Sequence, residues 1–440
     1  MAASGPLPPV FRSRGGRSLG PNCPNHEIRF IPLSYSAENS RESALRLVTE
    51  LRSLWEEGPT DISFERFTDG ITNTLLKATN SPPGKTRAKI EADAILLRAY
   101  GHGTDVLIDR QREAQNHELL SRFGLAPELL ARFKNGMMYR FIEGSVTQPD
   151  DLRRPEIYRA VARRLAQWHA TVPCLPENTS NGNEAAGADG ALANGGKVET
   201  AVDRLRSVKP SPNLWTIMQK WILALPTKTE EQKTRQANLQ QELDWLVTEL
   251  ARRKGLGENG LVFAHCDLLS GNIIVLPRPG ANGVKAATDN ANANDDVAVA
   301  FIDYEYATPS PAAFDIANHF AEWGGFDCDY SVLPTCAQRR EFIAEYIRTF
   351  FELQPSQLLD GASEVSEQTL RDEAEELFHE VDIFRGVPGF YWGIWALIQA
   401  TISDIDFDYA TYAETRLGEY WAWRETTKEA PRERRWAQEE

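Results

Sequence analysis

The segment His265-Cys266-Asp267-Leu268-Leu269-Ser270-Gly271-Asn272 lies between two short apolar runs, Leu261-Val262-Phe263 and Ile273-Ile274-Val275. A third run, from Val297 to Ile302, leads directly into Asp303-Tyr304-Glu305-Tyr306. An aspartate two residues after a histidine, and an asparagine five residues after that aspartate, is the spacing of a phosphoryl-transfer catalytic loop. Such transfer needs a carboxylate to accept a proton from the acceptor hydroxyl and oxygen ligands for the metal that neutralises the phosphates. Asp267 is the candidate base, and Asn272 and Asp303 are the candidate magnesium ligands. Each acidic residue alone would be read as a cap or a solvated group. The combined spacing, set between apolar strands, carries the argument. His265 is expected to brace the loop.

Working outward, the first half of the chain is strand-like. Ile62 to Phe67 alternates, Thr68 to Asn73 turns, and Thr74 to Ala78 continues, which is a hairpin pattern. Ala94 to Tyr100 predicts a third strand, Val106-Leu107-Ile108 a short fourth, and residues 110–122 a helix. Leu129 to Phe133 and Met137 to Ile142 predict a hairpin turning at Asn135-Gly136. From Pro155 the period changes: Ile157, Val161, Leu165 and Trp168 share one helical face, and Leu239 to Leu250 is again amphipathic. The expected fold class is therefore α+β, with residues 27–145 as a β-rich nucleotide-binding lobe and 146–425 as a larger helical lobe. A hinge is expected near residues 141–148, and residues 426–440 form a polar tail.

Within that frame, Gly70-Ile71-Thr72-Asn73 occupies the turn between two strands, where backbone amides and the Thr and Asn side chains suit phosphate. Taken alone, an ordinary hairpin explains it better; the catalytic loop elsewhere in the chain tips the reading towards phosphate. Arg98, at the end of the third strand, is a candidate bidentate phosphate ligand, and Glu113 on the next helix its ion-pair partner. A solvated surface pair is the alternative. Backbone groups of Arg140, Phe141 and Ile142 are candidates for holding adenine. The C-terminal third is rich in aromatic residues; Trp392 and Trp395 share a helix face, and Glu322 could add a carboxylate to an amine cage. A plain aromatic core is the competing explanation.

Composition sets the outer bounds. The chain has 440 residues, a net charge of −15 and a pI of about 5.1, which disfavours nucleic acid and anionic membranes as partners. No apolar run is long enough to predict a membrane span. Five cysteines, an odd number without metal-site spacing, suggest free thiols in a reducing compartment, so a cytoplasmic protein is expected. Residues 1–26 lack Asp and Glu and are rich in Gly, Pro, Ser and Arg; they read as a disordered arm, with a transit peptide as the alternative. Residues 176–198 and 280–296 read as disordered surface insertions.

On these motifs the chain resembles the choline/ethanolamine kinase family, and its ethanolamine kinase branch in particular. The resemblance runs from about Asp61 to Tyr420. It is carried by Gly70-Ile71-Thr72-Asn73, Leu96 to Gly101, Ile108-Asp109-Arg110, Asn135-Gly136 to Gly144, His265 to Ile273, Phe301 to Tyr306, Phe314 to Trp323 and Tyr391 to Ala400. It implies a protein-kinase-like bilobal fold that uses ATP and Mg2+. In that reading Asp267 is the base, Asn272, Asp303 and Glu305 surround the metal, and Arg98 meets the phosphates while paired with Glu113. Tyr306, Glu322, Tyr330, Trp392, Trp395 and Tyr412 would line the amine pocket. The implied substrate is the small molecule ethanolamine, with choline or another amino alcohol or aminoglycoside as alternatives, and an inactive kinase-like scaffold as the alternative of another class. Members often form homodimers. Two departures stand out: Asp69 replaces a first Gly in the phosphate turn, and Cys266 replaces the usual Asn before the base. The ethanolamine assignment rests on Gly70 to Asn73 and on Leu268-Leu269.

Overall fold

The computed structural model of this chain describes residues 28–52, 61–67, 73–101, 107–174, 200–205, 209, 212–277, 297–354, 365–403 and 405–426. The expected N-terminal arm, both insertions, the polar tail beyond Thr426, and Asp69 to Thr72 lie outside the described residues. The chain forms two compact units, residues 1–165 with 268–306 and residues 166–267 with 307–440. Residues 141–148, read from the sequence as a hinge, fall inside the first unit.

The elements in chain order begin, in the first unit, with β1 (Phe30–Ile31), α1 (Ser40–Leu51), β2 (Ile62–Phe67), β3 (Asn73–Asn80), α2 (Arg87–Asp93), β4 (Ile95–Tyr100) and α3 (Arg110–Arg122). They continue with β5 (Leu129–Phe133), β6 (Gly136–Arg140), β7 (Ser145–Val146) and α4 (Pro155–Thr171), within which the division between units falls. The second unit takes α5 (Ala201–Leu205), α6 (Leu214–Ala224), α7 (Glu230–Leu250) and β8 (Val262–Ala264). The chain returns to the first unit for β9 (Ile273–Val275) and β10 (Val299–Phe301). It ends in the second with β11 (Thr308–Ser310), α8 (Ala312–Ala321), α9 (Cys336–Leu353), α10 (Glu367–Phe384), α11 (Val387–Ile402) and α12 (Tyr409–Thr426).

In the first unit a six-stranded sheet has the order β1-β5-β6-β4-β3-β2, and only its β1–β5 pairing is parallel. Strand periodicity sorts the residues of β4 between its two faces. Ile95, Leu97 and Ala99 join a core that includes Ala44, Leu47 and Val48, the i, i+3, i+4 face of α1. Leu96 and Tyr100 pack with Ala114 of α3 on the opposite face. Arg98 shares that second face, which aims it at α3. Two sequence expectations are corrected here. Leu107 and Ile108 form no strand; both are buried and lead into α3, whose N-cap Asp109 accepts from the Gln111 and Arg112 amides, each at 3.1 Å. The hairpin turns at Lys134-Asn135, one residue early, because Phe133 already pairs with Gly136. Gly136 is needed for close approach instead: a Cβ there would sit 2.1 Å from the Arg98 carbonyl oxygen.

A second sheet of the first unit orders β10-β9-β7. Ile273 pairs with Phe301, so Asn272 and Ile302 follow in register, joined by a 3.0 Å hydrogen bond from the Ile302 amide to the Asn272 carbonyl. Asp303 is the next residue. At the other end of this β9–β10 ladder the Leu276 amide donates to Ala298. The strand ends at Leu276 and Ala298 therefore lie opposite to those bearing Asn272 and Asp303.

In the second unit β8 and β11 pair antiparallel, with Phe263 opposite Pro309. A proline is tolerated because both strands of a two-stranded ladder are edges. The helices enter through side-chain caps: Asn213 for α6, Thr229 for α7, Thr335 for α9 and Ser366 for α10. Helices α11 and α12 lie close together. A Cβ on Gly389 would stand 2.6 Å from the Arg416 carbonyl oxygen. Among the described residues no helix is long and apolar enough to cross a membrane.

Candidate active site

The first unit gathers four further charged side chains around Arg98. Arg98 Nη2 donates to Asp303 Oδ1 at 2.8 Å and to Glu305 Oε2 at 2.5 Å, and its Nε lies 3.4 Å from Glu113 Oε1. Arg110 Nη1 reaches Glu113 Oε2 at 3.0 Å and Glu305 Oε2 at 3.2 Å, while its guanidinium stacks 4.3 Å above the Tyr100 ring. Asn73 Nδ2 donates to Glu305 at 3.3 Å. Residues assigned from sequence to phosphate and to metal are thus in one cluster. Arg110, quoted in the family resemblance without a role, is part of it. The Arg98–Glu113 pair is not a surface pair, since both residues are under 5% exposed.

The electrostatics of this cluster follow from burial. Burial works against the Arg98 charge, but Asp303, Glu113 and Glu305 more than offset it and hold the guanidinium protonated. Burial, together with the Asp303 carboxylate, pushes Glu305 up to about 7 despite Arg98 and Arg110. With all groups ionised, three carboxylates face two guanidinia, which leaves one negative charge in excess. A cation fits there. Asp303 keeps 29% of its side chain exposed, and Asn272 is held beside it by the β9–β10 register. Asp303 also has a left-handed φ of 65°, which Asp tolerates better than most residues and which turns the chain sharply after β10. Among the described residues no trio of His, Cys, Asp or Glu side chains is arranged as a self-sufficient metal site. Magnesium takes one or two carboxylates and fills the rest of its octahedron with waters and substrate phosphates.

The three residues assigned to adenine are differently placed. The Phe141 amide donates to the Ala94 carbonyl at 3.1 Å, and its ring lies 6.1 Å from Phe67 and under the Lys77 ammonium. Arg140 pairs with Glu128 at 3.2 Å, and Ile142 is buried against Ile274 and Ala300. Gly70, Ile71 and Thr72 lie outside the described residues.

In the second unit the loop after β8 is built on α8. Asp315, fully buried, accepts the His265 amide at 2.9 Å and the Cys266 amide at 2.7 Å. It also accepts from His169 Nε2 at 3.0 Å, and His169 Nδ1 is 2.8 Å from the Tyr346 hydroxyl. Asn318 donates to the Cys266 carbonyl at 3.1 Å. These bonds hold Cys266 at a φ of 64°, a conformation that residues other than Gly, Asn and Asp rarely adopt. The Cys266 Sγ lies 3.3 Å from Ser310 Oγ, and burial beside Asp315 pushes its thiol well up, so it is no nucleophile. The His265 ring accepts the Asp267 amide at 3.3 Å and packs 5.4 Å from Trp168, the bracing place expected of it. Asp267 follows, 7% exposed.

The same helix anchors the aromatic wall. Trp392 Nε1 donates to Asn318 Oδ1 at 2.8 Å. Trp392 and Trp395 meet edge to face at 5.5 Å, Trp395 meets Tyr409 at 5.7 Å, and Phe407 contacts both Tyr409 and Tyr412. Glu322, the C-cap of α8, pairs with Arg416 at 3.0 Å. Burial raises the Tyr412 phenol, to which the charges of Glu322 and Asp267 both contribute. Tyr330 is 38% exposed on a single 3-10 turn (Tyr330–Val332), and buried Tyr306 closes the first unit. Asp315, Asn318 and Arg416 were given no role from sequence. A signal did exist: Asp315, Asn318 and Glu322 recur at helical spacing within an otherwise apolar stretch.

The family model described as choline/ethanolamine kinase matches residues 64–421. The chain is 32% identical over 393 residues to ethanolamine kinase 1 of Mus musculus, covering 87% of this chain and 89% of the relative. It is 32% identical to a probable ethanolamine kinase of Arabidopsis thaliana, covering 86% and 83%. Among solved structures, a Plasmodium vivax ethanolamine kinase superposes with a TM-score of 0.57 at 24% identity, covering 88% of this chain and 89% of that one. A Cryptosporidium parvum choline kinase gives 0.56 at 21%, covering 88% and 96%. The fold is α+β and protein-kinase-like.

Proposed function

The chain belongs to the choline/ethanolamine kinase family, and on that premise we propose that it transfers the γ-phosphoryl group of MgATP to the hydroxyl of ethanolamine. The product, phosphoethanolamine, begins the CDP-ethanolamine route to phosphatidylethanolamine. The observation that carries this reading is the double use of α8. Asp315 and Asn318 shape the loop that bears Asp267, Asn318 also holds Trp392, and Glu322 ends the helix. The proton acceptor and the cation-binding wall are thereby built on one rigid element.

Asp267 takes the proton of the acceptor hydroxyl as the oxygen attacks phosphorus. Bound MgATP supplies the transferable phosphoryl group, and the metal neutralises its charge. Asn272, Asp303 and Glu305 would hold the metal. Arg98, kept charged by its three carboxylate partners, would bind the phosphates together with the turn from Gly70 to Asn73. The Phe141 amide is already engaged, so adenine would take the remaining backbone groups of Arg140 to Ile142. Trp392, Trp395 and Tyr412 offer aromatic faces to the ammonium group, with Glu322 as the neighbouring carboxylate and Tyr306 and Tyr330 as further lining. The described cysteines, Cys174, Cys266, Cys328 and Cys336, are unpaired, in keeping with a reducing cytoplasm.

ADP release by purified protein, measured with ethanolamine and with choline, tests the reading directly. A higher kcat/KM for ethanolamine is expected. Activity on neither amine would refute the function, and a preference for choline would move the chain to the other branch. Trp395→Ala is expected to raise the amine KM by about tenfold while leaving the ATP KM within about twofold. Equal effects on both would mean that Trp395 is simply core.

A further inference from the structure

Arg416 of α12 has no part in the reaction as described, yet it is among the most deeply buried charges of the second unit at 1% exposed. Its Nη2 donates to Glu322 Oε1 at 3.0 Å, and its Nη1 lies 3.8 Å from Cys328 Sγ. Glu322 is itself buried and caps the C-terminal end of α8, where the helix carbonyls already concentrate negative charge. A carboxylate left alone there would take up a proton. Burial does push Glu322 upward, and Arg416 pulls in the opposite direction. Arg416 engages only Oε1. Among the described residues nothing donates to Oε2, and that oxygen is not sealed from solvent. The Tyr412 phenol, one turn before Arg416, lies within reach of the charges of Glu322 and Asp267. The Arg416 guanidinium lies 5.8 Å from the Tyr412 ring, so the ion pair stands beside the aromatic wall.

We infer that Arg416 is a positioning residue that fixes Glu322 as an ionised acceptor for substrate N–H groups and thereby makes the site favour a primary ammonium over a trimethylammonium group. The inference rests on the amine-kinase reading above. A primary ammonium carries three N–H donors, and one of them bonds the open oxygen of a preoriented carboxylate. A trimethylammonium group has no donor and is held by aromatic faces alone, to which Arg416 adds little. Arg416 does not touch the substrate in this scheme; it acts through Glu322.

The test uses the full chain and compares kcat/KM for ethanolamine and choline in wild type, Arg416→Met, Glu322→Gln and the double variant. Arg416→Met is expected to lower the ethanolamine value by at least about tenfold and the choline value by less than about threefold, because one charge-assisted hydrogen bond is lost. The ATP KM should stay unchanged. Once Glu322→Gln is in place, adding Arg416→Met should shift the ethanolamine-to-choline ratio no further. If Arg416→Met does not fold, as judged by circular dichroism, Arg416→Gln carries the same comparison. A wild-type ratio in the folded variant, with wild type active on ethanolamine, overturns the positioning role and leaves the kinase reading intact. Wild type inactive on both amines overturns both.

Discussion

Asp267→Asn is expected to lower kcat by at least about two orders of magnitude while leaving ATP binding within about twofold of wild type. Asparagine matches aspartate in shape but cannot accept the proton that the alcohol must shed. The loop around it should survive the change, because its backbone is fixed by other residues. Asp315 holds the amides of His265 and Cys266, Asn318 holds the Cys266 carbonyl, and the Asp267 amide rests on the His265 ring. The defect should therefore appear in kcat at saturating ethanolamine, with an unaltered unfolding midpoint. Stopped-flow or coupled ADP assays read kcat, nucleotide-analogue titration reads ATP binding, and thermal melting reads the unfolding midpoint. A variant that retains more than about a tenth of wild-type kcat would show that the proton leaves by another route.

The reaction type was legible because it depends on residues close together in sequence. His265, Asp267 and Asn272 fall within one loop, and the β9–β10 ladder carries Asp303 to Asn272 by simple register. The cluster around Arg98 was partly legible. Strand periodicity puts Arg98 on the face that meets α3, and the first turn of α3 offers Glu113. That the same guanidinium also bonds Asp303 and Glu305, some two hundred residues later, depends on tertiary pairing that no local pattern encodes. The short elements were the hardest to read. β1 and β7 have two residues each, and β11 carries a proline. Val106-Leu107-Ile108 misled because an apolar triplet before an Asp N-cap looks like a strand end until the cap is recognised. The interior of the second unit hid its polar logic for a related reason. A buried Asp or Arg is indistinguishable from a surface one in a sequence until its partner is known, and Asp315 and Arg416 have partners from distant segments.

The largest effect outside the reacting groups is expected at Asp315. Its two oxygens accept three N–H donors, from His265, Cys266 and His169, in a place with no solvent access. Burial alone would raise its pKa, but the hydrogen bond and charge of His169 and the contribution of His265 hold it below the ordinary carboxylate range. Asp315→Asn keeps the volume and removes one acceptor oxygen. The amide NH2 must then face a backbone or imidazole N–H, so at least one buried donor loses its partner and two donors oppose each other. Destabilisation of about 3 kcal/mol is expected, from a lost charge-assisted hydrogen bond and an unsatisfied buried group. The same change frees Cys266 from the contacts that enforce its left-handed backbone, and Asp267 moves with it. A displacement of about 1 Å at a reacting group costs about a hundredfold in rate, so kcat should fall comparably even in the protein that remains folded. The pH dependence has a definite sign. Because the native pKa is depressed, the stability contributed by Asp315 is complete above its unfolded value and fades as pH falls through the native one. Asp315→Asn should therefore lose most stability at neutral pH and converge on wild type in acid. Urea unfolding at pH 7 and at a pH below the ordinary aspartate pKa of about 3.9 measures that convergence. An equal deficit at both would assign Asp315 a packing role rather than an electrostatic one, and wild-type stability together with wild-type kcat would remove it from the support of the catalytic loop.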